Sequence, residues 1–383
     1  MNKKLLILVV FTVISILIGG MNSTVLIGTQ YTATKSGYFV SIAPWWNTSW
    51  SYRKLICINH SQVDSDLNNF PILVNITDTD LRDDAQDDGD DISFVICDGF
   101  NIQLNHEIEH YDNTTGQLVA WVNITSLSSS RNTSFYMYYG NSICSSNENV
   151  PGTYDSNYVA VWHLNETGTG TRYDSSSNNN DGTPQSYDGD EATTGKIDGA
   201  DYFEDGDVPD GEYINCGNNT SLQITGNLTI EAWVQIEGSD GEYMGIAGKF
   251  VTPDGYSLTR HESNVFRFWI ANGEVWGNVD SDTTYTDSNW HYVVGVINSE
   301  TNYLYVDGVQ QSDTNTTTLT NDSGEFAFIG RQYSNYNQRC WQGKIDEVRI
   351  SNTSRSAGWI STSYNTMHNT STFISVLNEQ TQS

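Results

Sequence analysis

Residues 161–182 read VWHLNETGTGTRYDSSSNNNDG. An apolar strand ending at Trp162 runs into a polar loop that carries Asp174, Asn178, Asn179, Asn180 and Asp181. Far downstream, residues 343–350 read GKIDEVRI. Strand alternation places Asp346, Val348 and Ile350 on one face, and Ile345, Glu347 and Arg349 on the other. With Val348 and Ile350 turned to the core, Asp346 is expected to face inward too. An inward carboxylate is costly unless a positive or hydrogen-bonding group meets it. A calcium ion between the two stretches would do so, because calcium takes about six to eight hard oxygen ligands and the loop is rich in them.

These two signatures, with what lies between them, resemble the laminin-G/concanavalin A-like jelly-roll family of the pentraxin-like kind. Trp162, Glu166, Gly168 and Asp174-Ser175-Ser176 match its opening, and Gly343 to Ile350 its close. Leu228 to Val234 (LTIEAWV), Trp290-His291-Tyr292 and Tyr305 to Gly308 (YVDG) follow in the family's order, so the resemblance covers roughly residues 155–366. It implies a jelly roll with a structural calcium held by Asp174 and Asp346, with Asn179 or a neighbour assisting. Ser177-Asn178 stands where the family usually has Gly-Asn, which reshapes the turn that would present the carbonyl ligands. Without a cation, Asp346 would be met by backbone amides.

The chain has 383 residues, with 47 Asp and Glu against 17 Lys and Arg, a net charge of -30. That balance disfavours nucleic acid or an anionic membrane surface as partner. Lys3 and Lys4 precede an apolar run, Leu5 to Ile18, ending at Gly19-Gly20. This is the layout of a secretory signal, or of an N-terminal membrane anchor through residues 5–20 if it is not cleaved. Residues 21–43 read as a linker. Asn-x-Ser/Thr sequons recur along the chain, among them Asn47, Asn113, Asn165 and Asn315, and suggest a glycosylated protein at the cell surface or beyond it. Five cysteines are too few for a disulfide scaffold; Cys216–Cys340 and Cys57–Cys97 are candidate pairs, and buried free thiols are the alternative.

Residues 44–147 hold short β-branched and aromatic runs split by Asn, Asp, Ser and Gly clusters, the pattern of a β-sandwich. Trp50-x-Tyr-Arg, Phe70-Pro-Ile-Leu-Val, Ala120-Trp-Val and Tyr138-Tyr-Gly-Asn141 resemble a family of unknown function that often precedes laminin-G-like modules in archaeal and bacterial surface proteins. The fold class expected is therefore all-β: two β-sandwich domains, the second a concanavalin A-like jelly roll over residues 148–366. The tail, 367–383, is expected to be mobile.

Catalytic signatures are few. The acidic run 78–91 fails the EF-hand template, because Val95 stands where a bidentate Glu is needed. In His106-Glu107-Ile108-Glu109-His110 a strand puts the histidines on one face and the glutamates on the other. No pair of carboxylates has glycosidase spacing. Trp269, Trp276, Tyr285, Tyr333, Tyr336 and Trp341 could stack on sugar rings or fill the core. The expected function is a non-catalytic extracellular module that binds glycans or surface proteins. A structural envelope component is the alternative, and a carbohydrate-active enzyme a lesser one.

Overall fold

A computed structural model describes residues 44–96, 101–204, 211–238, 241–251, 254–299, 301–319, 325–332 and 339–382, and only four short strand segments before residue 44. The export-signal and linker readings of residues 1–43 fall largely outside them. Among the described residues no helix is long and apolar enough to cross a membrane.

The first sandwich is built from β1 (Tyr52–Ile58), β2 (Phe70–Thr77), β3 (Ser93–Ile96), β4 (His106–Asp112), β5 (Gln117–Ile124) and β6 (Thr133–Tyr139). One sheet runs β1-β6-β3 and the other β2-β5-β4, all antiparallel. In the acidic run, Asp78 caps the helical turn Thr79–Asp84 and pairs with Lys54. Asp91 is buried and accepts from the amides of Gln86, Gly140 and Asn141. These carboxylates are tied to the protein's own donors.

The jelly roll follows. Its first sheet contains β7 (Tyr158–Trp162), β9 (Ala192–Thr194), β10 (Gly199–Phe203), β12 (Leu228–Ile236), β17 (Trp290–Ile297), β18 (Asn302–Val306), β19 (Val309–Gln310) and β21 (Gly343–Ser351). It runs β9-β10-β21-β12-β17-β18-β19, with β7 also on β21. The second sheet runs β8 (Thr183–Gln185), β11 (Tyr213–Asn215), β20 (Phe328–Ile329), β13 (Met244–Val251), β14 (Asp254–Arg260), β15 (Phe266–Asn272), β16 (Trp276–Asp280). Leu228, Ile230, Ala232, Val234 and Ile236 alternate into the core between these sheets. Asp307 and Gly308 both have positive φ, 51° and 78°, and join β18 to β19 as the primed two-residue turn their sequence predicts.

The core leaves no slack where the sheets meet at Gly295. A Cβ there would lie 2.5 Å from Phe268. Gly295→Val is expected to destabilise the protein by about 1–3 kcal/mol through overpacking, read as a lower urea midpoint at unchanged slope.

The jelly roll's first sheet is also buried on its outer face. Trp233, Tyr292, Val294, Val296 and Tyr305 join one apolar cluster with the first sandwich, and Phe70, Leu73 and Trp121 belong to it. The helix Ala357–His368 is wedged into this seam. Trp359 meets Phe70 edge-on at 4.8 Å, Thr366 Oγ1 accepts from the Leu73 amide, and Tyr364 stacks on Trp233. The four sheets thus stack in sequence, with β2-β5-β4 between the sheet of β1 and the jelly roll.

Three expectations are corrected. The tail is not a mobile extension: Phe373 and Ile374 are buried, and β22 (Ile374–Val376) and β23 (Gln380–Thr381) pair with β1. The first sandwich is completed by the far end of the chain, because β1 would otherwise leave an open edge over apolar residues. Cys216 and Cys340 form no bridge with each other: both are buried, and Cys216 is a free thiol packed in the jelly-roll core. Cys57 is free as well, and Cys97 lies outside the described residues.

The third correction concerns Asp346. Glu347 has φ 53° and makes a bulge: Glu231 and Trp233 of β12 pair with Arg349 and Asp346, so three steps on β21 oppose two on β12. The extra residue resets the alternation. Ile345, Val348 and Ile350 enter the jelly-roll core, while Asp346, Glu347 and Arg349 lie towards the seam.

Candidate functional site

The residues nominated for calcium do not converge. Asp174 accepts from the amides of Val161, Ser176 and Asn180 at 2.7–2.9 Å, and from Ser176 Oγ. Val161 spends its carbonyl on the Ser175 amide as well, so this loop lies along the edge of β7 away from β21. Asp346 sits on β21 itself and accepts from the Lys196 and Ile197 amides at 2.7 and 2.9 Å. Asn179 is an exposed turn residue with φ 53°. Strand β7 therefore separates the two carboxylates; both Asp174 oxygens and Asp346 Oδ2 already face N–H and O–H donors, and Asp346 Oδ1 is buried with no partner among the described residues. A calcium held jointly by Asp174, Asn179 and Asp346 does not fit.

The chemistry of the seam gathers instead on His163, the residue after Trp162. It is buried, and Leu164 beyond it takes φ 61°, turning the chain sharply out of β7. His163 Nδ1 lies 2.6 Å from Glu347 Oε1 and 3.5 Å from Glu109 Oε2. Its Nε2 lies 3.2 Å from both Glu107 Oε2 and the Tyr154 hydroxyl. Glu107 and Glu109 reach the same side, as strand alternation places them, while the bulge of β4 between Ile108 and His110 shifts His110 out of step with His106. The histidines predicted to share a face divide: His106 is buried against Phe94, and His110 is part-exposed near Asp198.

Each glutamate has further support. Glu107 accepts from Ser175 Oγ at 2.6 Å and Tyr154 at 2.9 Å. Glu347 Oε2 is bonded by Arg349, whose guanidinium lies 4.1 Å over the Trp121 ring. Trp121 Nε1–H donates to Glu109 Oε2 at 2.8 Å, while Glu109 Oε1 is buried and has no partner among the described residues. Burial disfavours every charge here, so the neighbours decide. It pushes the Glu109 carboxyl up to about 8, whereas the charge of His163 holds Glu107 and Glu347 below the usual range against the same burial. Burial would also lower His163, but its three carboxylates raise it well above an ordinary imidazole. Sequence reasoning missed His163, Glu347 and Glu107 as one group; the usable signal was the acidic alternation of β4 and the Glu-x-Arg of β21.

A second feature lies on the opposite side of the jelly roll, on the outward face of the second sheet. Trp276 is 46% exposed and stands edge-on to Trp269 at 6.1 Å. Along β16, Trp276, Asn278 and Asp280 pair with Ala271, Trp269 and Arg267 of β15. Arg267 binds Asp280 through both Nε and Nη2, and Asn278 Nδ2 donates to Asp280 at 3.1 Å. Of the other aromatics named from sequence, Trp341 is core and Tyr285 packs on Phe266 and His291. Tyr333 and Tyr336 lie outside the described residues. Among the sequons, Asn47 is exposed, Asn113 and Asn315 are half-buried, and Asn165 donates its amide to the Glu109 carbonyl.

Facing antiparallel sheets of this order, with the Gly343–Ser351 strand central to one, define a concanavalin A-like jelly roll. Sequence comparison agrees: residues 208–361 match the concanavalin A-like lectin/glucanases superfamily, and residues 88–194 match a domain of unknown function, DUF2341. The chain thus carries a concanavalin A-like domain preceded by that second domain. The DUF2341 match runs past β7 and the Asp174 loop, which belong structurally to the jelly roll. No curated protein matches the chain. Among solved structures, it is similar to domain 4 of an extracellular arabinanase from Geobacillus stearothermophilus in complex with arabinotriose (16% identity, 54% of this chain, 97% of that one, TM-score 0.43). It is also similar to a structure of botulinum neurotoxin type C, whose cell entry depends on two ganglioside molecules (14%, 56%, 52%, TM-score 0.44). A third is the binding domain of Paraclostridial Mosquitocidal Protein 1 (12%, 54%, 52%, TM-score 0.43). The chain spans about half the length of these two toxin chains.

Proposed function

We propose that the protein is a non-catalytic binding module, exported to the cell surface, that takes glycans at the Trp276 corner. The observation that carries this reading is the row Trp276-Asn278-Asp280 beside Trp269 and Arg267. An exposed indole offers a flat apolar face to a sugar ring, and the adjacent amide, carboxylate and guanidinium suit its hydroxyls. The acids of the seam support the non-catalytic part, since the side chains of Glu107, Glu109 and Glu347 are at most 10% exposed and a polymer could not reach them. The apolar start of the chain and the exposed sequon at Asn47 support export.

A glycan array probed with the intact chain and with Trp276→Ala tests this. The expected result is a defined set of bound glycans whose signal falls at least about tenfold in the variant, the scale of one lost stacking contact. Equal binding by both proteins would remove the corner from the account. Self-assembly with no glycan bound would favour a structural envelope component.

A further inference from the structure

Glu109, His163 and Glu347 come from three separate strands or strand ends, and their ligand atoms all lie within 4.8 Å of one another. We propose that they form a divalent transition-metal site, for zinc or manganese, that fastens the first sandwich to the jelly roll. The donor set is one imidazole nitrogen and two carboxylate oxygens, the type such ions accept.

The support around each donor is what separates this group from an ordinary ion-pair cluster. A metal-bound histidine characteristically passes its other N–H to a carboxylate. His163 would bind through Nδ1, and its Nε2 already faces Glu107. Each carboxylate has a fixed donor on one oxygen: Trp121 on Glu109 and Arg349 on Glu347. The two carboxylates therefore keep their orientation whether or not an ion is bound. Glu109 Oε1, in a side chain only 1% exposed, is left with no hydrogen-bond partner among the described residues. A buried carboxylate oxygen without a donor is costly, and a cation reached by both Glu109 oxygens would remove that cost.

The fit requires little movement. Donors around a tetrahedral zinc stand about 3.3 Å apart. Nδ1 is 3.5 Å from Glu109 Oε2 and 2.6 Å from Glu347 Oε1, so the Glu347 contact must open by roughly 0.7 Å, and the two carboxylates already lie within 4.8 Å of each other. Because Glu109 belongs to the first sandwich and the other two ligands to the jelly roll, the site is complete only when the sandwiches are docked.

The test uses the whole chain, stripped with chelator and then dialysed against zinc or manganese chloride, with metal content measured by mass spectrometry and unfolding followed by circular dichroism. About one equivalent of one of these ions is expected, together with a higher melting temperature than in chelator. Glu109→Gln preserves the His163–Glu347 and His163–Glu107 contacts, so it should fold and yet lose the ion and the shift. Glu107→Gln should weaken binding by about 10–100-fold without abolishing it. Folded wild-type protein that retains neither ion, or a Glu109→Gln variant that binds as tightly as wild type, would overturn the proposal.

Discussion

Truncation after His368 is expected to cost the protein its first sandwich. The removed segment carries β22 and β23, and with them the whole outer ladder of β1. Asn59 donates to the Phe373 carbonyl, Leu377 to Leu55 and Gln382 to Ser51. Arg53 loses Gln380, and Tyr139 loses Glu379. Phe373 and Ile374 leave the shared apolar cluster, where they are 0% and 5% exposed. Burying two such side chains contributes about 3–6 kcal/mol, comparable with the whole stability of a domain. The truncated chain should be insoluble, or should melt well below full length and bind a dye for exposed apolar surface. The milder variant Phe373→Ala keeps both strands and should cost about 3–5 kcal/mol by chemical denaturation. A truncated protein with the parent's melting curve would show that β1 does not depend on the far end of the chain.

The second large effect is expected at Arg349. Its guanidinium is buried, bonds Glu347 and stacks on Trp121 across the seam. Arg349→Met preserves bulk but leaves Glu347 with His163 as its one cationic partner among the groups described, and Glu231 without its cross-strand cation. Removing one member of a buried pair costs about 3–5 kcal/mol, because the charge left behind has lost its counterpart. Arg349→Lys should recover only part of this, since an ammonium can neither reproduce the planar fork nor lie flat on indole. Arg349→Met with Glu347→Leu should recover most of it, as apolar replacement of a whole buried pair often does. Denaturant midpoints for the three variants settle the order. If Arg349→Met alone is neutral, the seam's charges do not hold the sheets together.

Much of the jelly roll was legible in the sequence because its signals are local. The alternation from Leu228 to Ile236 and the Asp307-Gly308 turn each follow from a few neighbouring residues. Asp346 was misjudged because strand parity survives only until an inserted residue, and nothing local marks Glu347 as the bulge. The charged seam was hidden for a different reason. Glu231, Glu347 and Arg349 look like solvent-facing residues of a one-sided sheet, and only the sheet stacked against them changes that meaning. Glu107 and Glu109 were read correctly as sharing a face, but what the face opposes is set by contacts more than 50 residues away. The tail carried a usable hint in Phe373-Ile374-Ser375-Val376, an apolar run too short to outweigh its polar surroundings.

Residues 380 and 381 run antiparallel beside Arg53 and Tyr52. The described residues from 44 onward thus begin and end beside each other on one terminal layer, where Arg53 bonds both Pro44 and Gln380, while Trp276 stands on the layer at the other extreme. A tether joined to either end would grip the same pole. The indole corner would then point away from whatever the tether holds, as a surface reader of its environment requires.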